Sequence, residues 1–584
     1  MIDARSDDLR PGHERSFRFE EPTAILEARR LDEVVGTLEA VGSAAHRGLW
    51  AVGFVAYEAA PAFDPALVVH PPVPDLPLAW FALFARRVEV DPPPAAQDGD
   101  DERSPSSPWR PTVDAATYRE RIAAIREAIA AGDTYQVNYT VRLRARVAGD
   151  ARGLYRDLAL AQRGGHAMYL DTGRHRIVSA SPELFFAFDA GQVTTRPMKG
   201  TAARGRFEEE DLAIAEALRA SEKDRAENAM IVDLLRNDLG RIARPGSVEV
   251  PAMFELERYE TVWQLTSTVT CEARPGTTVP DLFRALFPCG SVTGAPKVRT
   301  MRAIRDLEET PRGVYCGAVG WVGPGDGADI SASFNVAIRT VAIDAATGDA
   351  EYGVGGGITY ASDADREYGE VLAKARLLTA TRPAFELVET LRLDAEGFGD
   401  LEDHLARIAA SARYFGFAFD ADAARSDLER ERAVARHPRR VRLALARDGA
   451  RSVTTTDLPE APQGPVEVEL DDDPVDPADI WLFHKTTRRQ AYDRRAARHA
   501  REAILVNDRG EVTETAVANL AVRIDGTWWT PPREAGLLAG TARARLLREG
   551  ALHERTVTVD DLRAAEELAL VSSVRGWRAA TLVG

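Results

Sequence analysis

Cysteine is scarce in this chain: 584 residues contain three, Cys271, Cys289 and Cys316, and no two form a C-x-x-C pair. That excludes a disulfide framework and the paired-cysteine zinc sites, and it is the usage expected in the reducing cytoplasm. No cysteine sits in a Gly-x-Cys-x-Gly turn, so a thiol nucleophile elbow is missing too. Positive charge is in short supply. Lys and Arg total 74 against 91 Asp and Glu, a formal net charge of -17, which argues against nucleic acid or an anionic membrane surface as the main partner. Small anions, which feel local charge, are not excluded. No run approaches the roughly 18 consecutive apolar residues of a membrane helix. The polar start Met1-Ile2-Asp3-Ala4-Arg5 leads into no apolar stretch, so neither a span nor a signal peptide is expected.

What is present is ordinary globular composition, 45% hydrophobic and 28% charged, in a chain too long for one core, so two or more domains are expected. Residues 16–88 alternate strand-like runs such as 50–57 with one helical pattern from Leu31 to Val41. The stretch 91–111 is rich in Pro, Asp and Ser and reads as a solvated mobile loop. Thr117 to Ala131 reads as an amphipathic helix stopped at Gly132, and 133–141 as a β-rich run. Next come a strand over Leu184–Phe188, a turn at Asp189-Ala190-Gly191 and a strand over Gln192–Thr195. This pairing brings Glu183 and Lys199, in Arg196-Pro197-Met198-Lys199-Gly200-Thr201, to neighbouring strand ends, an acid facing an amine. Pro197 restricts the backbone before the lysine, and Gly200 permits close approach to a ligand.

A long helix begins near Ser221, with Asp224 as capping-box acid, and stops near Gly240. On it Glu227 shares a face with Met230, Ile231 and Leu234. A carboxylate on an apolar stripe must be paired or bound to a cation, and a buried salt bridge and a metal ligand both meet that need. Gly290-Ser291-Val292-Thr293-Gly294-Ala295-Pro296-Lys297 is a Gly-rich turn opening a helix and suits an anion, although the Walker phosphate-loop spacing is absent. Residues 314–340 read as two strands around the turn Gly323–Gly327, with Arg339 near the end of the second. The run 352–358 is a backbone able to wrap a carboxylate, or a bulge or tight turn. Glu367, Glu370 and Lys374 share a helix face with Val371 and Leu378. They read as a solvated ion-pair ladder or, with Glu227, as an oxygen-ligand site for Mg²⁺.

Four blocks in this order, Asp233-Leu234-Leu235-Arg236-Asn237-Asp238, Ser291–Lys297, Gly355-Gly356-Gly357 and Glu367-x-x-Glu370-x-x-x-Lys374, resemble the chorismate-utilising family of anthranilate, isochorismate, salicylate and aminodeoxychorismate synthases. The resemblance covers roughly the first 380 residues. Within the family, the lysine of Pro197-Met198-Lys199-Gly200-Thr201 resembles the aminodeoxychorismate branch, where anthranilate synthases carry alanine. Gln264 departs from the histidine of many relatives. The resemblance implies an α/β (α+β) fold, a two-sheet β-sandwich with surrounding helices. It implies Lys199 as nucleophile and Glu183 as acid, with Mg²⁺ held by Glu227, Glu370, Glu367 and Asp224. Substrate contacts would come from Thr201, Thr293, Lys297, Tyr315, Arg339, Gly355, Gly356, Gly357 and Lys374. Lys199 would have to attack as a neutral amine, well below the ordinary lysine pKa of about 10.4.

After Pro383 the pattern restarts. Strand-like runs fall at 385–391 and 466–470, a helix at about Leu401 to Phe415, and Trp481–Phe483 reads as an apolar strand just before His484-Lys485. This half resembles the class IV pyridoxal-phosphate enzymes, and the resemblance implies a second α/β domain. It makes Lys485 the cofactor's Schiff-base lysine, Glu514 the partner of the pyridine nitrogen, and Arg407 with Thr541 and Ala542 the phosphate site. The domains expected are 1–383 and 384–584. Together the resemblances imply a cytoplasmic, bifunctional enzyme of 4-aminobenzoate, hence folate, biosynthesis, with Mg²⁺ and pyridoxal phosphate as cofactors. Chorismate and ammonia would give 4-amino-4-deoxychorismate, and elimination of pyruvate would follow. A separate glutamine amidotransferase would supply the ammonia, and a homo-oligomer is left open. The alternatives are an anthranilate synthase-type enzyme, or a synthase fused to a class IV aminotransferase.

Overall fold

The protein, a computed structural model, is described at all residues except 1, 8–13, 91–106, 148, 163–164, 326–328, 376–377, 379–383, 435–437, 461–462 and 584. The loop expected over 91–111 lies mostly outside the described residues, as does part of the turn Gly323–Gly327. The chain divides into two units. One comprises Met1–Ala203 and Ala215–Pro383, the other Arg204–Ile214 and Ala384–Gly584. The second therefore takes a short segment out of the middle of the first as well as everything after the expected boundary.

The first unit is built on two mainly antiparallel sheets of ten strands each. The core cluster of Phe17, Phe19, Met168, Leu170 and Ile177 from one sheet, with Val52, Phe54, Trp80, Phe84 and Val319 from the other, lies between them. Trp50–Val55 is buried along nearly its whole length instead of alternating. Its other face joins a separate core with the helices Leu31–His46 and Val279–Leu286, which is why the run reads as continuously apolar. Helices Ala115–Ala130, Ala151–Gln162 and Ala364–Ala375 cover the outer face of the first sheet through Tyr118, Ile122, Leu158 and Val371. The expected sandwich with surrounding helices is the architecture found.

Local signals explain the elements that matter for the site. The strands Leu184–Asp189 and Gln192–Arg196 pair antiparallel around Ala190 and Gly191, both at positive φ. Ser221 caps the helix Glu222–Gly240 by accepting from the Asp224 N–H. The reciprocal half of the expected capping box is altered, because the Asp224 carboxylate accepts from the Ser221 hydroxyl while the Ser221 N–H bonds Leu218. The run 352–358 is neither a bulge nor a tight turn. It forms the end of the regular strand Asp349–Ile358, paired with Gln136–Arg146. Its glycines answer to crowding: a Cβ on Gly353 would lie 2.2 Å from the Tyr315 ring and one on Gly357 1.8 Å from Gln136 Nε2.

The second unit holds a four-stranded sheet and an eight-stranded mixed sheet. The helix Leu401–Phe415 packs on the smaller sheet through Leu405, Ile408 and Ala412. No strand precedes Lys485. Ile480–Leu482 is one turn of 3₁₀ helix, capped by Asp479 accepting from the Trp481 N–H. The Asp-x-Trp spacing makes that local bond available and ends the extended path.

Behind the first unit's central strands lies a buried ionic knot. Glu308 accepts from Arg312 Nη2 at 2.7 Å, Arg312 Nε at 3.0 Å and the Thr140 hydroxyl at 2.7 Å, and pairs with Arg142 at 3.3 Å. Arg312 then donates to the carbonyls of Val292 and Asn138. Replacing one partner leaves buried charge uncompensated, so Glu308→Gln is expected to destabilise the first unit by about 3–5 kcal/mol. Hydrogen exchange over Gln136–Arg146 would quicken in the variant, while exchange in the second unit's sheets stays as in the wild type.

Two candidate active sites

In the first unit the ends of several strands and helices converge on a cavity of about 250 Å³. Lys199, on the strand Met198–Ala203, reaches it with its amine donating to the Ser291 carbonyl at 3.3 Å. Gly200 beside it has φ 89°, and a Cβ there would sit 3.0 Å from the Asp224 side chain, so only glycine keeps the lysine strand against the helix. Burial lowers the Lys199 pKa, opposed by the charges of Glu183 and Glu227. Glu183 is 3% exposed. Burial raises its carboxyl to about 7 against hydrogen bonds from Ser291 and the Met198 N–H and the charge of Lys199, and its Oε1 has no hydrogen-bond partner. A half-protonated acid and a discouraged ammonium thus share one desolvated chamber, the condition for moving protons near neutrality.

Arg339 also lines this cavity. It is a non-glycine residue at φ 50°, its guanidinium is buried with Nη1 lacking an acceptor, and burial pushes its pKa down. A bidentate cation without a carboxylate partner among the described residues is suited to an anionic group of a ligand. Tyr315 lies nearby with Arg142 5.3 Å over its ring. The backbone of Gly355–Gly357, Gln264 and Thr201 also line the cavity. Lys374 donates to the Gly355 carbonyl at 2.9 Å and pairs with Glu370 at 2.8 Å.

Asp224, Glu227, Glu367 and Glu370 all face this cavity. Among the described residues no group of three or more acids, histidines or cysteines stands close enough to hold a metal as arranged. Asp224 is occupied by the helix start and Glu370 by Lys374. The donor chemistry nonetheless fits a divalent cation: burial raises Glu227 and Glu367, and the charge of Glu367 adds to the rise at Glu227. A cation would relieve that cost.

Two expected substrate contacts are placed elsewhere. Thr293 is fully buried with its hydroxyl on the Cys289 carbonyl, and Lys297 bonds Asp238 and the Leu286 carbonyl. Neither lines the cavity; they build the turn that presents Ser291, whose hydroxyl and carbonyl serve Glu183 and Lys199. One residue the sequence did not single out is Asn228. Buried at 1% exposure, it donates to the carbonyls of Leu265 and Lys199 and accepts from the Ser267 hydroxyl. Its position one after Glu227, turned to the opposite neighbour, was the available signal.

The second unit has its own cavity of about 720 Å³. Lys485 lines it, with its pKa brought down to about 8 by burial and then by Arg407. Glu514 is raised by burial to about 7, and accepts from Tyr492 at 2.7 Å, the Leu538 N–H at 2.8 Å and Asn519 at 3.0 Å. Arg407 is gripped bidentately by the buried Glu389, which also takes His404 at 2.6 Å. His404 Nε2 in turn meets the Thr541 hydroxyl at 3.2 Å. Burial works against the Glu389 carboxylate, but Arg407 and His404 together hold it down at about 2. Thr541 and Ala542 open the helix Thr541–Arg548, where first-turn N–H groups lack intrahelical acceptors. The Ala542 side chain belongs to the core, so only its backbone is available.

The set fits pyridoxal phosphate: a low-pKa amine, a helix start beside an arginine for phosphate, and a carboxyl for a ring nitrogen. Sequence reading missed Glu389, which sets Arg407, and the guanidinium groups of Arg440, Arg442, Arg488, Arg489, Arg575 and Arg578 around the same cavity. Arg440 and Arg442 alternate along Arg439–Leu445 and share one exposed face, a period-two signal that was legible.

Residues 6–380 match the family model described as chorismate binding enzyme, and residues 386–583 the one described as amino-transferase class IV. An aminodeoxychorismate synthase from Streptomyces pristinaespiralis is 44% identical over 269 residues, covering 46% of this chain and 37% of that protein. The anthranilate synthase component 1 of Streptomyces coelicolor is 41% identical over 278 residues, 47% of this chain and 53% of that protein. The chain thus spans between about a third and a half of these curated relatives. The crystal structure of anthranilate synthase component I from Streptococcus pneumoniae aligns with a TM-score of 0.55 at 28% identity, over 64% of this chain and 93% of that one.

With a pKa of about 8, Lys485 is expected to react as an amine at lower pH than surface lysines. Borohydride reduction in the presence of pyridoxal phosphate, followed by peptide mapping, is expected to tag Lys485 with a half-maximal pH near 8, and to leave that peptide untagged in Lys485→Arg.

Proposed function

The chain belongs to the chorismate binding enzyme family, and from that we propose that its first unit aminates chorismate to 4-amino-4-deoxychorismate and its second removes pyruvate to leave 4-aminobenzoate. The observation that carries the reading is Lys199. The two curated relatives are similar to this chain at nearly equal identity and bear different activities in their names. The lysine in Pro197-Met198-Lys199-Gly200-Thr201 resembles the aminodeoxychorismate branch, and here its amine is buried with Glu183 in one cavity.

In the first step the neutral Lys199 amine adds at C2 of chorismate, the ring double bonds shift and the C4–O bond breaks. Glu183 delivers the proton with which the hydroxyl departs as water. Ammonia then forms a bond at C4 as the C2–N bond breaks and Lys199 leaves. Arg339, with Tyr315 and the Gly355–Gly357 backbone, holds one carboxylate. Glu227, Glu367 and Glu370 would hold Mg²⁺, which when bound supplies positive charge for the ring carboxylate.

In the second unit Arg407, Thr541 and the Ala542 N–H would hold the phosphate of pyridoxal phosphate, and Glu514 its ring nitrogen. Bound there, the cofactor supplies an electron sink. Lys485 Nζ takes the proton from C4 of the aminated substrate, the C3–O bond breaks, the ring becomes aromatic, and the departing enolpyruvate takes up a proton at its methylene carbon to become pyruvate. The surrounding arginines suit a substrate with two carboxylates.

A separate glutamine amidotransferase is the proposed ammonia source. All three cysteines are buried, and burial raises Cys271 and Cys316 to about 11 and Cys289 to about 12, which leaves no thiolate nucleophile in this chain. Among the described residues no helix is long and apolar enough to cross a membrane; we place the protein in the cytoplasm on its cysteine usage.

The deciding experiment incubates the purified chain with chorismate, ammonium and Mg²⁺, with and without pyridoxal phosphate, and identifies the product. 4-Aminobenzoate with pyruvate is expected when both cofactors are present. 2-Aminobenzoate would replace this reading by an anthranilate synthase, and a keto acid formed from an added amino acid would replace the lyase by an aminotransferase. Lys199→Ala is expected to lose at least about a hundred-fold in chorismate consumption, while supplied 4-amino-4-deoxychorismate is still converted. Chelator should stop the first step and spare the second. Because the proton on Glu183 is lost as pH rises through about 7, chorismate consumption should fall on the alkaline side, and Glu183→Gln should abolish that limb together with most of the rate.

A further inference from the structure

The segment Arg204–Ile214 leaves the first unit directly after the strand that carries Lys199 and belongs to the second unit. Its contacts there include His484, which lines the second unit's cavity. The Tyr414 hydroxyl donates to the Gly205 carbonyl at 2.6 Å, and the Arg204 guanidinium lies 4.4 Å over the Tyr414 ring. Arg206 Nη1 donates to the carbonyls of Pro477 and Glu534.

The Arg206 carbonyl lies 3.1 Å from His484 Nε2, while His484 Nδ1 lies 2.9 Å from the Ser411 hydroxyl. Burial keeps His484 neutral, with its pKa down at about 3. The neutral ring donates from Nε2 to the carbonyl and accepts at Nδ1 from the serine. Tyr414 and Phe415 pack against this ring at 4.5 and 4.6 Å. His484 is the residue before Lys485, whose own carbonyl accepts from the Val388 N–H at 2.9 Å. The lysine backbone is therefore held directly by Val388 of the strand Leu387–Asp394 and, through the side chain of its neighbour His484, by the inserted segment.

Phe207 makes the second connection. It belongs to a small core with Val475, Leu482, Phe483, Tyr492 and Leu505, its ring 5.4 Å from that of Phe483 and capped by Arg533 at 3.8 Å. Tyr492 passes this packing on, because its hydroxyl is the 2.7 Å donor to Glu514. Phe207 thus reaches Glu514 through Tyr492, and packs on Phe483, two residues before Lys485.

We infer that Arg204–Phe207 is a positioning element of the second active site, with Phe207 and the Arg206 carbonyl, acting through Tyr492 and His484, setting the cofactor-binding geometry of Glu514 and Lys485. The inference rests on the reading of the second unit as a pyridoxal-phosphate site. Physically, an aromatic side chain delivered from elsewhere in the sequence completes a core too small to close alone.

The test uses the full chain and reads cofactor affinity by equilibrium dialysis and the pH midpoint of Lys485 tagging. Phe207→Ala is expected to weaken cofactor binding about ten-fold or more, the scale seen when groups that orient ligand-binding side chains are removed. The midpoint should move above about 8 as water enters the site around the amine. Phe207→Leu should restore most of both, and chorismate consumption by the first unit should stay within about two-fold of wild type, since Phe207 lines no part of its cavity. His484→Leu, which removes the donor to Arg206 without emptying the core, should weaken binding in the same direction, and His484→Gln, which keeps an N–H donor, should do so less. Wild-type affinity and midpoint in both Phe207→Ala and His484→Leu would overturn this inference alone. A wild-type chain that takes up no cofactor would overturn both it and the reading beneath it.

Discussion

Glu308, buried between two guanidinium groups, is the constraint from which the geometry of the first site follows. A carboxylate removed from water is tolerated only when its charge and lone pairs are all matched, and here Arg312, Arg142 and Thr140 match them. The same Arg312 has donors left over, and they fasten the carbonyls of Val292 and Asn138. Val292 adjoins Ser291, whose carbonyl receives Lys199 and whose hydroxyl serves Glu183. Glu183 and Lys199 are thus held in register by an ion cluster whose members do not line the cavity. Their pKa values are moved toward each other by a shared cause, desolvation, which penalises the charged form of each.

The second unit solves a related problem with another shared carboxylate. Glu389 takes both ends of Arg407's fork and the ring of His404, and His404 reaches Thr541. An arginine with so many rotatable bonds would sample many positions; a bidentate partner reduces that to one. For Lys485 and Glu514 burial is the largest influence, bringing the amine down to about 8 and the carboxyl up to about 7. Each unit therefore separates the ions that supply rigidity from the groups left free to exchange protons.

Much of this was legible in the linear chain. Leu184–Asp189 and Gln192–Arg196 announced themselves as β-rich runs on either side of an Asp-Ala-Gly turn, and Ser221 marked the start of its helix. Glu367, Glu370 and Lys374 were assigned to one helix face, and all three line one cavity. Where reading failed, a contact made in the fold had overridden a local signal. Gly355–Gly357 read as a backbone able to wrap a carboxylate, or as a bulge or tight turn. They end a regular strand, and Tyr315, Tyr139 and Gln136 occupy the space that a Cβ would need at Gly353, Gly355 and Gly357. Thr293 and Lys297 looked like ligand contacts because hydroxyl and ammonium groups at a glycine turn often are. Thr293 is used up locally by the Cys289 carbonyl four residues before it, and Lys297 by Asp238, fifty-nine positions away along the chain.

The sequence by itself pointed to the candidate groups, the order of the elements and the presence of two units, because motif spacing and hydrophobic period are local properties. Only the tertiary structure decided which charges are desolvated together, since burial depends on neighbours from distant segments. It alone decided that Glu308 and Glu389 would be structural while Glu183 and Glu514 would titrate near 7, although all four are the same residue type. It alone gave Arg204–Ile214 to the second unit. Nothing in the period of that segment distinguishes it; Phe207 belongs where it is because Phe483 and Tyr492, nearly three hundred residues later, offer the apolar surface it covers.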